Sequence, residues 1–347
     1  MNSTTVSENS VSENRVEPIG YVALLVMLLV AMMAALLASI AIGYAPLDIV
    51  AAARDVFHGN DTLSALVLVQ LRLPRAVLGA LVGFSLGITG AAMQGLLRNP
   101  LAEPGITGVT SAASLGAVVV FYFGLAGILP LALPLGGIAG AGLSTLLLYG
   151  VAGSGASTMT LILAGVAINS FFGALTTLAL NLSPNPYAVS EIIFWLLGSL
   201  SDRSLQYVWL VAPMMLAGWL LLLMTGPALD GLSLGEDTAT SLGFNLARVR
   251  LLLIAGTALA VGSAVAATGS IAFIGLVVPH LLRPLVGHRP SRLLLVSGLG
   301  GATLTLLADI IVRLLPVRPE LKLGVVTALI GAPFLFHLIW RLRREDR

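Results

Sequence analysis

The sequence predicts an all-α polytopic membrane protein, a compact bundle of about ten transmembrane helices. Three observations carry that expectation. Hydrophobic residues fill 57% of the 347 positions and charged residues only 10%, where soluble domains carry roughly a quarter. Mean hydropathy is +1.00. Apolar runs long enough to cross about 30 Å of hydrocarbon recur along the chain, divided by polar or Gly/Pro-marked turns.

Taken in order, the runs fall at 19–43, 74–97, 107–126, 129–149, 159–181, 206–225, 249–268, 271–286, 293–315 and 324–341. Residues 1–18 are polar and rich in Ser, Asn and Glu, a composition expected to be disordered. The membrane domain then covers 19–341, and 342–347 form a basic tail. The first run is too long for a signal-peptide core and reads as a retained helix. The eighth is short, and "SEIIFWLLGSL" (190–200) is shorter still, a half-helix at one surface. An even number of spans puts both termini on one side. The tail "RLRREDR" places that side in the cytoplasm.

That orientation leaves Arg54, Arg72, Arg75, Arg203, Arg313, Arg318 and Lys322 outside. Arg72 and Arg75, in "LRLPR" (71–75), are the informative pair, since no carboxylate nearby in sequence neutralises them. Interfacial snorkelling would explain a single arginine there. Two at i and i+3 share a helix face, however, and cations at the start of a span oppose the helix dipole. Arg313 joins them on the same side. Such a cluster suits a partner with surface carboxylates. Asp309 and Arg313, at i and i+4, are expected to form a structural ion pair.

Packing and symmetry come next. Gly79, Gly83 and Gly87 repeat every four residues, as do small residues in "GGIAGAG" (136–142) and around Gly298, Gly300 and Gly301. This spacing lets helix backbones approach closely. "GITGAAMQGLLRNPLAEP" has a faint echo in "GSIAFIGLVVPHLLRP", consistent with inverted-repeat-like halves that meet at a pathway.

Several function classes are excluded. The chain has no cysteine and no Walker A loop, its single lysine being Lys322. Any ATP hydrolysis therefore belongs to a separate subunit, and no catalytic residue is assigned. His58, His280, His288 and His337 are scattered without ligand spacing, so no metal site and no cofactor are expected on this chain. A net charge of +2 gives no reason to expect nucleic acid as a partner.

The working loops are the remaining signal. "GPALDGLSLGEDTATSLGFNLARVR" (226–250) spaces Leu232, Leu234, Leu242 and Phe244 among polar residues. Two short helices broken at Gly235 or Gly243 would make a knob for a groove in a soluble partner. The turns "LLRNPLAEPGITG" (96–108) and "GSGASTMT" (153–160) lie on the same side. Within the first, Glu103 is expected to be solvated or locally paired.

Together, "LRLPR" through "NPLAEPGITG", "LILAGVAINS", "FWLLGSL", "LSLGEDTATSLG", "GSIAFIGLVVPHLLRP", "ADIIVR" and "PELKLGVVTALIGAPFLFHL" resemble the iron-chelate/cobalamin permease family (FecCD type) of ABC importers. The likeness runs from about residue 66 to 341, with separated motifs in the family's order. It implies a type II importer permease that pairs with a second permease subunit, identical or related. It also implies two cytoplasmic ATPases and a periplasmic substrate-binding protein as partners, within membrane lipid. By motif match, Arg72, Arg75 and Arg313 would dock the binding protein. Leu232, Leu234, Gly235, Glu236, Leu242 and Gly243 would form the element coupled to the ATPase. Asn99, Leu101, Ser157 and Thr158 would form the cytoplasmic gate. The implied cargo is a ferric siderophore, with haem or cobalamin as the alternative. A self-powered secondary transporter is the rival from another class; it needs a mid-span carboxylate, whereas Asp309 and Glu191 lie near the ends of their runs.

Overall fold

A computed structural model describes residues 20–44, 46–129, 131–153, 157–183 and 185–345. The polar stretch 1–18 lies outside them. The described residues form helices joined by loops and contain no strand. The order is α1 (Tyr21–Ala41), α2 (Ile49–His58), α3 (Leu63–Val67), α4 (Leu73–Leu97), α5 (Val109–Tyr122), α6 (Ala132–Ala152), α7 (Thr158–Asn181) and α8 (Pro186–Leu196). It continues with α9 (Leu205–Met224), α10 (Gly226–Ser233), α11 (Glu236–Ser241), α12 (Leu246–Thr257), α13 (Ser263–Thr268), α14 (Ile274–Leu282), α15 (Pro290–Leu314) and α16 (Leu323–Glu345).

Among the described residues, seven helices are long and apolar enough to cross a membrane, and α5 and the Leu323–Leu338 part of α16 are shorter apolar helices. The second span begins earlier than its apolar run, because α3 and α4 form one helix, Leu63–Leu97. Pro74 has no N–H to give the carbonyl four residues back, and the π turn Leu68–Arg72 absorbs the gap. Arg72 and Arg75 therefore lie two turns inside a helix, not at its start. The eighth run also differs. Its helix α14 has nine residues, about 14 Å of rise, too short to span the hydrocarbon. Part of the tail changes as well, since α16 continues through Glu345.

Burial separates a centre from a shell. The apolar windows of Leu63–Leu97 and Leu246–Thr268 are 78% buried and that of α15 is 67% buried, whereas α6, α7 and α9 reach 28% and α1 only 17%. The centre is held by close backbone approach. A Cβ on Gly83 would strike the Gly301 carbonyl, one on Gly87 the Ser297 carbonyl, and one on Gly90 the Gly275 carbonyl. Glycine spacing in α4 thus sets how near α15 and α14 can come. Outside this seam, Trp219 packs on Phe84 at 4.2 Å between ring centroids and donates its indole N–H to Ser85 Oγ at 2.9 Å.

α4 and α15, each 25 residues, run the length of the bundle, about 37 Å. They define two ends. One carries Arg72, Arg75 and Arg313 and is called the arginine end; the other carries the 226–250 segment and is called the loop end.

Candidate functional sites at the two ends

The arginine end is a network, not a set of free cations. Arg75 Nε lies 3.0 and 3.1 Å from the Asp309 carboxylate oxygens, and its Nη2 lies 2.8 Å from Oδ1. The same guanidinium grips Glu320, Nη1 at 3.3 Å from Oε2 and Nη2 on Oε1. Neutralisation of Arg75, which no carboxylate nearby in sequence supplies, comes from residues more than 200 positions away. Arg313 pairs with Asp309 at 3.0 Å, as the i, i+4 spacing predicts.

Arg313 and Arg72 also close the end of α1. Arg313 Nη1 donates to the Ser39 and Ile42 carbonyls at 2.8 and 2.6 Å, and its Nη2 donates to Ser39 Oγ at 2.7 Å. Arg72 Nη1 donates to the Ile40 and Ala41 carbonyls at 3.0 and 2.6 Å. The last carbonyls of a helix have no partner within it and carry its negative pole. Two guanidiniums supply both needs here. Arg72 and Arg313 are buried, 6% and 7% exposed.

A cavity of about 300 Å³ opens beside this network. Arg72, Arg75, Arg313, Arg203 and Glu320 share its lining. Burial pushes the Glu320 carboxyl up more than any one neighbour pulls it down, but the hydrogen bond and charge of Arg75, with Ser201 and Arg313, together hold the group below its ordinary value. Ser201 Oγ adds a donor to Glu320 Oε2 at 3.0 Å. Glu320 and Ser39 are functional candidates that sequence reasoning missed. The only sequence signal for Glu320 is a carboxylate in the loop that follows Arg313.

At the loop end, α10 and α11 meet at Gly235, whose φ of +118° favours glycine, and α11 closes at Gly243, φ +88°. Leu234 and Leu242 point outward, 70% and 61% exposed, while Leu232 is buried at 3% against Leu229, Ala239 and Val249. Leu232 therefore anchors the element and does not present itself for docking, because its side chain completes the core beneath the two short helices. Asp230 ties the segment to the start of α15, accepting from Ser291 N and Oγ at 2.8 and 2.6 Å.

Two residue groups that the sequence kept apart meet here. Thr158 Oγ1 donates to Glu236 Oε1 at 2.6 Å, and Arg250 Nη2 reaches the same oxygen at 2.9 Å. The Thr158 hydroxyl, and after it Arg250, hold the Glu236 carboxyl below its ordinary value. Ser157 caps α7 by accepting from Thr160 N. Asn99 turns the chain after α4, its Oδ1 accepting from Leu101 N at 2.9 Å, and the neighbouring Arg98 acts on Glu236 electrostatically. Thr158 is bonded directly to the 236–241 helix; among the described residues, the hydrogen bonds of Asn99, Leu101 and Ser157 are local.

Glu103 lies in the turn that precedes α5. It is half-buried and lines a cavity of about 470 Å³ with residues of α5 and α7. Burial pushes its carboxyl up, and no charge offsets that. Among the described residues, no group of three or more His, Cys, Asp or Glu side chains could hold a metal ion.

The chain matches the FecCD transport family over residues 27–341. A vitamin B12 import system permease protein of Vibrio cholerae is 41% identical to it, over 83% of this chain and 86% of that protein. A Fe(3+) dicitrate transport system permease protein of Escherichia coli K12 is 37% identical, over 93% and 99%. A solved structure, an inward-facing conformation assigned to a metal-chelate type ABC transporter, superposes with a TM-score of 0.80 at 31% identity, covering 92% of this chain and 99% of that one.

Proposed function

The chain belongs to the FecCD transport family, as a membrane-spanning permease of the ABC importer type, and from that premise we propose that its cargo is a ferric siderophore moved from periplasm to cytoplasm by ATP-driven alternating access. The iron reading is supported by the E. coli relative, named for Fe(3+) dicitrate, and by the metal-chelate neighbour. Cobalamin is the second reading, favoured by the V. cholerae relative; haem is a third cargo of the same kind.

In this scheme the loop end faces the cytoplasm with both termini, in a bacterial inner membrane. Leu234 and Leu242 enter clefts on separate ATPase subunits, which carry out the hydrolysis; this chain binds no cofactor. Leu232, Gly235, Glu236 and Gly243 give the coupling element its shape. A periplasmic binding protein delivers cargo at the arginine end, where its carboxylates meet the rim of the open cavity that Arg72, Arg75 and Arg313 help to line. A second permease subunit, identical or related, completes the pathway.

The observation that carries the coupling is the Thr158–Glu236 hydrogen bond. It links the element offered to the ATPase with the first residue of α7, so displacement of α11 pulls on a helix that lines a polar cavity. Asn99, Leu101, Ser157 and Thr158 are the proposed gate. Uptake of ferric siderophore, haem and cobalamin into proteoliposomes, with and without the ATPase partner, tests the reading. Transport of the siderophore only with partner and ATP is expected; transport that persists without ATP would sink the importer assignment.

A further inference from the structure

The α7 helix presents a polar stripe on a lightly buried element. Asn169, Ser170, Thr177 and Asn181 are exposed, and Gly173 and Thr176 are partly so. Three- and four-residue steps put them on neighbouring rows of one helix. Amides and hydroxyls set against hydrocarbon are unfavourable, so this stripe faces water or other polar groups. The 470 Å³ cavity lies along it, walled by Thr110, Ser111 and Ser114 of α5, with Glu103 and Ser270 from loops.

The charge of that wall is one-sided, while Asn169 contributes an amide that both donates and accepts. Ser111 Oγ donates to the Gly108 carbonyl at 3.0 Å and Thr176 Oγ1 to the Phe172 carbonyl at 2.9 Å. With their protons committed to their own backbone, these hydroxyls offer lone pairs to the cavity. Glu103 is also an acceptor when ionised. Among the described residues, no Arg, Lys or His lines the space.

We propose that this cavity is a water-filled section of the transport pathway that favours neutral or cationic, donor-rich chelates and disfavours polyanionic ones, with Glu103 setting the preference. The link to cargo rests on the permease reading; the charge preference of the cavity does not. A trihydroxamate chelate of iron fits this lining, whereas a carboxylate-rich chelate meets a like charge and a row of acceptors.

The absence of cysteine makes the test direct. Asn169→Cys in the full chain, reconstituted with its ATPase in proteoliposomes, is treated with a cationic trimethylammonium-ethyl or an anionic sulfonato-ethyl methanethiosulfonate. The ratio of the two rates is compared with that at an exposed reference thiol, His58→Cys. A ratio about tenfold higher at position 169 is expected from one nearby carboxylate in a partly dehydrated space, and Glu103→Gln should return it to the reference. Thr176→Cys, on the same cavity wall, is a second reporter should the first variant fold poorly. No reaction with either reagent would overturn the aqueous cavity. Equal ratios, or a preference that survives Glu103→Gln, would overturn the role of Glu103. ATP-independent uptake, by contrast, would defeat the importer reading without moving these ratios.

Discussion

The two ends of the bundle use the same chemistry, guanidinium with carboxylate, in opposite settings. At the arginine end Asp309 is 1% exposed and serves two arginines, Arg75 and Arg313, each with further acceptors. At the loop end Glu236 is 35% exposed and holds one hydroxyl and one arginine. Buried charges need every partner in place, since losing one leaves an uncompensated ion in low dielectric. Exposed pairs contribute little and are easily remade. The first arrangement suits a fixed frame that pins α1, α4, α15 and the 315–322 loop. The second suits a joint that shifts on each cycle.

The largest effect should come from removing the shared counter-ion of the frame. Asp309→Ala leaves Arg75 and Arg313 facing each other, and a broken buried network of this kind costs about 3–5 kcal/mol. Thermal unfolding of the detergent-solubilised chain should show a large loss. Glu236→Ala, at the joint, should change the melting temperature far less. Equal losses from the two variants would erase the distinction between frame and joint.

A smaller effect is expected at the joint itself, where function is more sensitive than stability. Thr158→Val keeps shape and removes the donor to Glu236. One such hydrogen bond contributes about 1 kcal/mol to stability, but its loss uncouples α11 from the start of α7. ATP hydrolysed per cargo molecule should rise, with Thr158→Ser restoring the wild-type ratio. An unchanged ratio in Thr158→Val would leave the bond without a coupling role.

How far the sequence reaches differs between the same two ends. The glycines at 235 and 243 announce the break between α10 and α11, and exposed leucines among polar residues mark the knob. Asp309 and Arg313 are legible because a helix makes i and i+4 neighbours. Arg75 with Glu320 is not legible, being a contact across 245 positions that only the folded bundle creates. Arg72 and Arg313 on the α1 carbonyls are still less so, because a backbone acceptor has no residue identity to read. The cavity beside Glu103 is illegible for a related reason: that residue's neighbours in sequence suggest a surface turn, and the cavity's other walls come from α5 and α7. The span count followed apolar runs well except where a π turn extended the second helix and a left-handed Phe273, φ +68°, started α14 late.

The least disruptive probe of the joint is acid. Glu236 has an ordinary pKa of 4.5, and its value in the folded chain lies lower, through Thr158 and Arg250. A carboxyl depressed in this way stabilises the fold fully above its ordinary value, and the contribution disappears as pH falls through the lower folded value. Between pH 7 and 5 the link should therefore remain ionised and the ATP-to-cargo ratio unchanged from this source. Below the ordinary value it should begin to loosen, by no more than the roughly 0.2–1 kcal/mol of an exposed pair. Glu236→Gln should remove this acid response, because the amide does not titrate, while its oxygen can still accept from Thr158. Carboxyl titration followed by nuclear magnetic resonance on isotopically labelled protein would read the Glu236 value directly. A folded-state value at or above 4.5 would show that Thr158 and Arg250 do not hold the carboxylate, and the joint would have to be sought elsewhere in the loop.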